Sequence, residues 1–503
     1  MASAKFLLEH FYYGQIVSHG KPDGNPRLLA ASPGVSPELA ALAVERVVLP
    51  PLIRAHKGAW ALVRGRDKQI PFLLIQSQQG GAGQTISHYI FAQPDALRAM
   101  GGNLKALSAV VQDQLPIFEK AGAAVPLLEL PQGEPPTIEA QIDDLLDLMT
   151  YTANKTSIIE SLLAAIVQGV QLIIQGAPDD LNMRVSFIEG LLALLPPSAR
   201  FGVTFTTHSL PTTEIDTQIR FYSDDAAPTG TVIYNWADAR VTGEEISDDY
   251  SRFIISQLRL DAELVSKQTA ALTHIAGWRL NRGDKLAEAL GYASSRTRID
   301  EALLNAQPVS KDEVGKILAE DPTLTEELRV TYADHLMKFS LAMREMSHAE
   351  PVAMLLRANP ALEQSVLKQM EDALNEGQSD LVYDTLAQWM SNPLGPEGTA
   401  WVDLTHRALL AQLRDLIKER DTDEINTLLV KMQDTGAEVG LGRVFAQIIS
   451  LAFPLNEPTI NENLFLLAVK TLSPEDFKKL MLSLIHISEP TRLRRISYAV
   501  FCL

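Results

Sequence analysis

Beyond Asp248 the apolar residues stop alternating and begin to recur at helical spacing, and this change of period divides the chain into a sheet-forming part and a helical part. The clearest helical segment is Glu424 to Gln433, where Ile425, Leu428, Leu429 and Met432 fall at i, i+3, i+4 and i+7 on one face. Asp421 or Thr422 caps its start and Gly436 terminates it. The next helix opens at Gly442, carries Val444, Phe445, Ile448 and Ile449, and stops before Pro454. Short Gly and Pro breaks between such segments predict stacked antiparallel helix pairs over 248–481, as in an α-solenoid or an irregular bundle. No fixed period names a repeat family.

Upstream the expectation is a mixed α+β sheet domain over 1–130, then an α/β domain over 137–247, separated by the proline-rich linker Leu130 to Pro136. In the first, strand signals at Phe6 to Val17 and Leu28 to Ala31 flank a loop over Ser18 to Pro26. Ser36 and Pro37 open a helix to Val47, and strands follow at Trp60 to Arg64, Pro71 to Gln76 and Thr85 to Ala92. In the second, helices at Thr137 to Tyr151, Ser157 to Val167 and Leu181 to Leu195 alternate with strands at Val170 to Gln175 and Gly202 to His208. That order predicts a parallel core. Gln218 to Ser223 and Thr231 to Trp236 read as further strands.

Charge narrows the partner class. The 503 residues carry a net charge of −18. Residues 1–100 hold ten bases and six acids, a balance of +4, and the last 22 residues add +2, so residues 101–481 carry −24. An acidic body of this kind repels phosphate backbones and leaves only the first hundred residues as a nucleic-acid surface. The most apolar window, Ile158 to Ile174, is interrupted by Glu160, Gln168, Gly169 and Gln171, which predicts no membrane span. Met1 to Gly14 contains Glu9 and His10 and does not read as a secretory signal, so a cytoplasmic location is expected.

Gly80 to Gly83 lacks both the first glycine and the lysine of a phosphate-binding loop, with Gln78 and Gln84 in those places, and reads as a turn. No histidines fall at a metal-ligand spacing, and no cofactor is predicted. His88 and His208, each on a strand, are the two polar candidates for a general base, although no nucleophile motif accompanies either. Asp143, Asp144 and Asp147 lie opposite Ile142, Leu145, Leu146 and Met149 and read as a solvated helix face rather than a metal site.

Two resemblances extend this reading. Tyr12, Tyr13 and Gly14, followed by Arg27, Leu28, Leu29, Ala30, Ala31, Ser32, Pro33 and Gly34, resemble the N-terminal domain of bacterial GTPase-associated proteins, which pair a Tyr-Gly element with a Leu-Leu-x-x-Ser element. The segment from Leu194 to Pro196 through Phe205 and Thr206 is similar to the middle region of that family. The resemblance implies a multidomain, non-catalytic component encoded with a GTPase, in which Tyr13, Gly14, Leu28, Leu29 and Ser32 form a strand pair that shapes a recognition surface. The residues alone also fit a plain hairpin core in which Gly14 turns the chain. At the other end, Leu482 to Arg492 and Ile496 to Leu503 resemble a translated sequencing adapter, and this tail holds the one cysteine, Cys502. The natural segment is therefore expected to run to Met481.

The function expected is that of an adaptor or scaffold that binds a protein partner, a GTPase by the resemblance. The alternatives are a hydrolase-type enzyme built around His208 or His88, and nucleic-acid binding by the basic first hundred residues.

Overall fold

The computed structural model describes residues 5–47, 58–67, 70–80, 82–112, 114–131, 134–210, 215–222, 228–435 and 440–487. The chain forms two compact units, the first ending at Arg298.

The first unit is built on strands β1 (Lys5–Leu8), β2 (His10–Ser18), β3 (Lys21–Ala31), β4 (Ala59–Asp67), β5 (Ile70–Gln79), β6 (Thr85–Ala92), β7 (Ala123–Ala124), β8 (Leu128–Pro131), β9 (Leu172–Gln175), β10 (Phe205–Ser209), β11 (Ile219–Tyr222), β12 (Val232–Asn235) and β13 (Arg240–Gly243). Strands β1 and β8 pair with each other, and the other eleven form one sheet in the order β13-β12-β9-β11-β10-β4-β5-β6-β2-β3-β7. Strands β9 to β12 run parallel, as the alternation of helix and strand predicts. Strands β2 to β6 are antiparallel.

This continuity corrects the expected boundary near residue 130. The parallel and antiparallel halves join at a seam where Leu62 pairs with Phe205 and Ala61 with Thr206. Beyond that, Thr207 Oγ1 accepts from Trp60 N at 2.9 Å. The loop expected over Ser18 to Pro26 is likewise mostly strand. Ser18 pairs with Lys21, and His19 and Gly20, at φ 49° and 73°, make a two-residue turn with both central residues left-handed, which suits a twisted hairpin.

Local signals placed the helices well. Ser36 Oγ accepts from Leu39 N at 3.2 Å to cap helix Pro37–Arg46. That helix lays Ala40 and Ala43 over Phe11, Leu73, Ile75 and Tyr89 on one face of the sheet. Helices Ile138–Tyr151, Thr156–Gln168, Leu181–Ala193 and Asp249–Leu258 share a core with Leu172, Ile174, Phe221 and Tyr234. The first and third of these helices cross so closely that a Cβ on Gly190 would lie 2.6 Å from Leu148 Cβ.

The second unit, from Ile299, is helical, whereas the helices between 248 and 298 belong to the first. Helices Glu326–Met343, Pro360–Asn375, Ser379–Ser391, Thr399–Glu419, Thr422–Thr435 and Pro458–Thr471 pack mainly on near neighbours in the chain. Residues Ile425, Leu428, Leu429 and Met432 are buried, as their spacing requires. Side-chain bonds recur between positions 36 apart, joining Arg344 to Asp380 and Glu371 to Arg407. Lys470 pairs with Asp434, and Asn463 donates to Asn426 at 2.9 Å. The last helix, Pro474–Ile487, continues past Met481. The rest of the adapter-like tail and Gly436 lie outside the described residues. Among the described residues no helix is long and apolar enough to cross a membrane.

Candidate functional site

A strip of polar side chains crosses the antiparallel half of the sheet. Residues on one strand face alternate by two, and register places Gln76, His88 and Tyr12 side by side on β5, β6 and β2, with His10 two residues before Tyr12. His88 is fully buried and His10 is 4% exposed. The carbonyl of Pro126 can only accept, so His10 Nε2–H donates to it at 2.8 Å. A neutral His10 then presents a bare Nδ1, to which His88 Nε2–H donates at 2.8 Å. This chain of tautomers leaves His88 Nδ1 as a buried lone pair without a partner among the described residues. The Tyr12 ring stacks on His88 at 4.3 Å and 10°.

Burial keeps the pair neutral. Desolvation, followed by the repulsion of His10, pushes His88 down to about 3. His10 is lowered by burial against the opposing pull of the Pro126 carbonyl and the Glu9 carboxylate. Tyr12 is raised by burial, although it accepts from Gln112 Nε2 at 2.8 Å.

The strip grips a strap of chain running from Gln112 to Pro126. Gln76 exchanges two bonds with the Gln112 backbone, accepting from its N–H at 3.1 Å and donating to its carbonyl. Gln78 donates to the same carbonyl at 3.1 Å and accepts from Leu115 N at 2.8 Å. Val17 N donates to Phe118 O, and β7 pairs with β3. Buried polar groups are costly unless matched, and here backbone and side chain match each other.

Ser32 and His88, two of the residues singled out in the sequence, meet at this place through His10. The Ser32 hydroxyl donates to Glu9 Oε2 and accepts from His10 N at 2.8 Å. The His10 ring is committed to Pro126 and His88, so serine and imidazole do not form a nucleophile–base pair. The two elements of the N-terminal motif do face each other across the hairpin, Tyr13 with Leu28 and Gly14 with Arg27. Tyr13 OH donates to Pro26 O at 3.0 Å, Leu29 is fully buried and Leu28 half-buried. Arg27 is exposed and donates back to the carbonyls of Asn25 and Asp23. Gly14 does not turn the chain. It lies within β2, where a Cβ would meet Thr85 O at 2.6 Å, so β2 and β6 approach too closely for a side chain.

His208 lies apart, buried in β10 with β4 and β5 between it and β6. Tyr12 stands in the N-terminal motif, whereas the sequence does not single out His10, Gln76, Gln78 or Gln112 as site residues. The available signal was the interruption of the apolar alternation Phe72, Leu74 by Gln76 and Gln78 on the same strand face.

A cavity of about 250 Å³ opens elsewhere in this unit, lined by Asn103, Glu134, Pro135, Asp144, Glu189 and Arg200 among others. Asp144 is 7% exposed, which corrects its reading as part of a solvated face. Arg200 accounts for the difference, because its guanidinium favours a carboxylate on the inner side of the helix. The same guanidinium donates to Leu195 O at 2.8 Å and to Gln141 Oε1 at 2.7 Å, so it closes the carbonyl end of helix Leu181–Ala193. Burial lowers it to about 10.

At the carboxyl ends of the parallel strands, Asn235, Gln175, Tyr222 and Ser209 stand in register on one face. The hydroxyls of Tyr222 and Ser209 are buried without a partner among the described residues. Arg184 ties the turn after β9 to β10 by donating to Pro178 O at 2.9 Å and Thr207 O at 2.7 Å. No grouping of three or more potential metal ligands occurs among the described residues.

No protein-family model matches the chain, and no curated protein does.

Proposed function

We propose that this chain is a cytoplasmic adaptor of a bacterial GTPase-associated system, with a sheet module at its N-terminus and a helical array that presents the partner surface. One observation carries the reading. Helices Thr422–Thr435 and Pro458–Thr471 leave an apolar seam open to solvent, with Val430 48% exposed, Leu466 42% and Val469 55%. Val430 lies four residues from both Asn426 and Asp434, and Leu466 lies between Asn463 and Lys470, so the two share the stripe that the Asn426–Asn463 and Asp434–Lys470 contacts mark out. Stacked helices offer such seams as extended binding surfaces, and an apolar centre with a polar rim is the anatomy of a protein interface.

The partner class rests on the resemblance of the first hundred residues. The pairing of Tyr13 with Leu28 and of Gly14 with Arg27 supports it by setting both motif elements in one hairpin. The test is binding of the full chain to a purified GTPase encoded beside it, loaded with GTP or GDP. Saturable binding that falls at least tenfold in a Val430→Asp, Leu466→Asp double variant is expected. Absence of binding in both nucleotide states would overturn the reading.

A further inference from the structure

At the turn between helices Ala262–Asn281 and Leu286–Leu304, Arg279, Arg282 and Lys285 stand with the acids Asp284 and Glu288, a local excess of one positive charge in a chain of net charge −18, while Arg296 further along the second helix is buried. Gly283, at φ 95°, makes the turn. Arg279 is explained by packing. It lies half-buried between two rings, 4.6 Å from the centre of Tyr292 and 5.6 Å from that of Trp278, and it pairs with Asp284. The two rings meet edge-on at 5.8 Å. Arg282 is different. It is exposed, its guanidinium sits 5.1 Å over Trp278, and it has no carboxylate partner among the described residues. Lys285, also exposed, stands three residues on; its backbone N–H donates to Glu288 Oε2 at 3.2 Å, and its ammonium pairs with no carboxylate among those residues.

We infer that this turn is a docking surface for an acidic segment of a partner protein, an inference that rests on the adaptor reading and gives it a second contact. A cation is favoured at the carbonyl end of a helix, but that preference does not call for an indole beneath it. Stacking engages the face of a guanidinium and leaves its N–H edge to grip a carboxylate with two parallel bonds. Trp, Tyr and Arg are the residues that dominate protein interfaces. Charge complementarity selects an acidic occupant. The chain's excess of acids disfavours any extended polyanion, polyphosphate included, so the occupant is a short acidic segment whose charge stays within a patch this small.

The test titrates a labelled oligoglutamate peptide with the full chain and follows anisotropy at low and physiological salt. Saturable, salt-sensitive binding is expected, weakened about tenfold or more by Arg282→Glu and less by Arg282→Lys, which keeps charge but loses the planar fork. Arg282 is exposed at a turn, and unchanged circular dichroism checks the fold. Equal binding by Arg282→Glu and the parent chain would overturn the inference. So would displacement of the peptide by a thymidine oligonucleotide of equal charge at lower concentration, since the surface would then serve nucleic acid. Oligoglutamate binding that is absent while the GTPase still binds removes this inference and leaves the adaptor reading. The reverse outcome removes the adaptor reading alone.

Discussion

His88 donates from Nε2 to Nδ1 of His10 across 2.8 Å, and the two rings stand at 73° with no room for a second proton between them. The pair is therefore a neutral clasp on the strap from Gln112 to Pro126, and its protonation state is tied to folding.

Both histidines have folded values below the ordinary 6.5, so the unfolded chain binds more protons than the native one under mildly acidic conditions. Their contribution to stability is whole above pH 6.5 and is lost as pH falls toward the native value of about 3 for His88. Between pH 6.5 and pH 5 His88 alone is expected to remove about 2 kcal/mol. Urea midpoints at the two pH values will measure it, and His88→Phe will flatten the slope. His335, lowered by burial in the helical unit, leaves a residual slope of the same sign.

Gly14→Ala is expected to destabilise the first unit by about 1–3 kcal/mol, because the atoms a methyl would strike are the Thr85 carbonyl and Ile86 Cα, neither of which can rotate away. Thermal melts set beside Gly122→Ala separate this clash from a backbone effect. Gly122 has φ 85° and open space around it.

Tyr222→Phe is expected to leave stability unchanged or raise it by up to about 1 kcal/mol, since the hydroxyl removed is buried without a partner among the described residues. Tyr250→Phe is the contrast. Its hydroxyl donates to Leu194 O at 2.7 Å, and its loss is expected to cost about 1–2 kcal/mol. Equal effects in denaturant titrations would contradict the assignment.

Arg200→Met will strip the cation from Asp144 and the donors from the carbonyls of Leu195 and Ala193. Removing one partner of a buried charged pair typically costs about 3–5 kcal/mol, and loss of near-ultraviolet circular dichroism is the expected readout.

Signals confined to a few neighbouring residues were legible in the sequence. Ser36 with Pro37, and the four apolar positions from Ile425 to Met432, predicted helices that the structure contains, because capping and amphipathic spacing act within one or two turns. The seam between Leu62 and Phe205 was hidden, since nothing local marks which edge strand will pair with another so far along the chain. Asp144 was misread for a related reason, its burial depending on Arg200 from a different helix. Ser32 and His88 stand out in the sequence, but His10, which unites them, reads there only as a polar residue within the apolar N-terminal stretch.

The seam also sets a schedule for synthesis. Strands β2 to β6 are complete once residue 92 has been made, yet β4 stays an open edge until β10 emerges about 140 residues after Leu62. At the usual pace of translation that interval is about 7–30 s, during which the edge can recruit a strand from a neighbouring nascent chain. Arg64, two residues beyond Leu62 on β4, is among the few charges set against that encounter until Phe205 arrives.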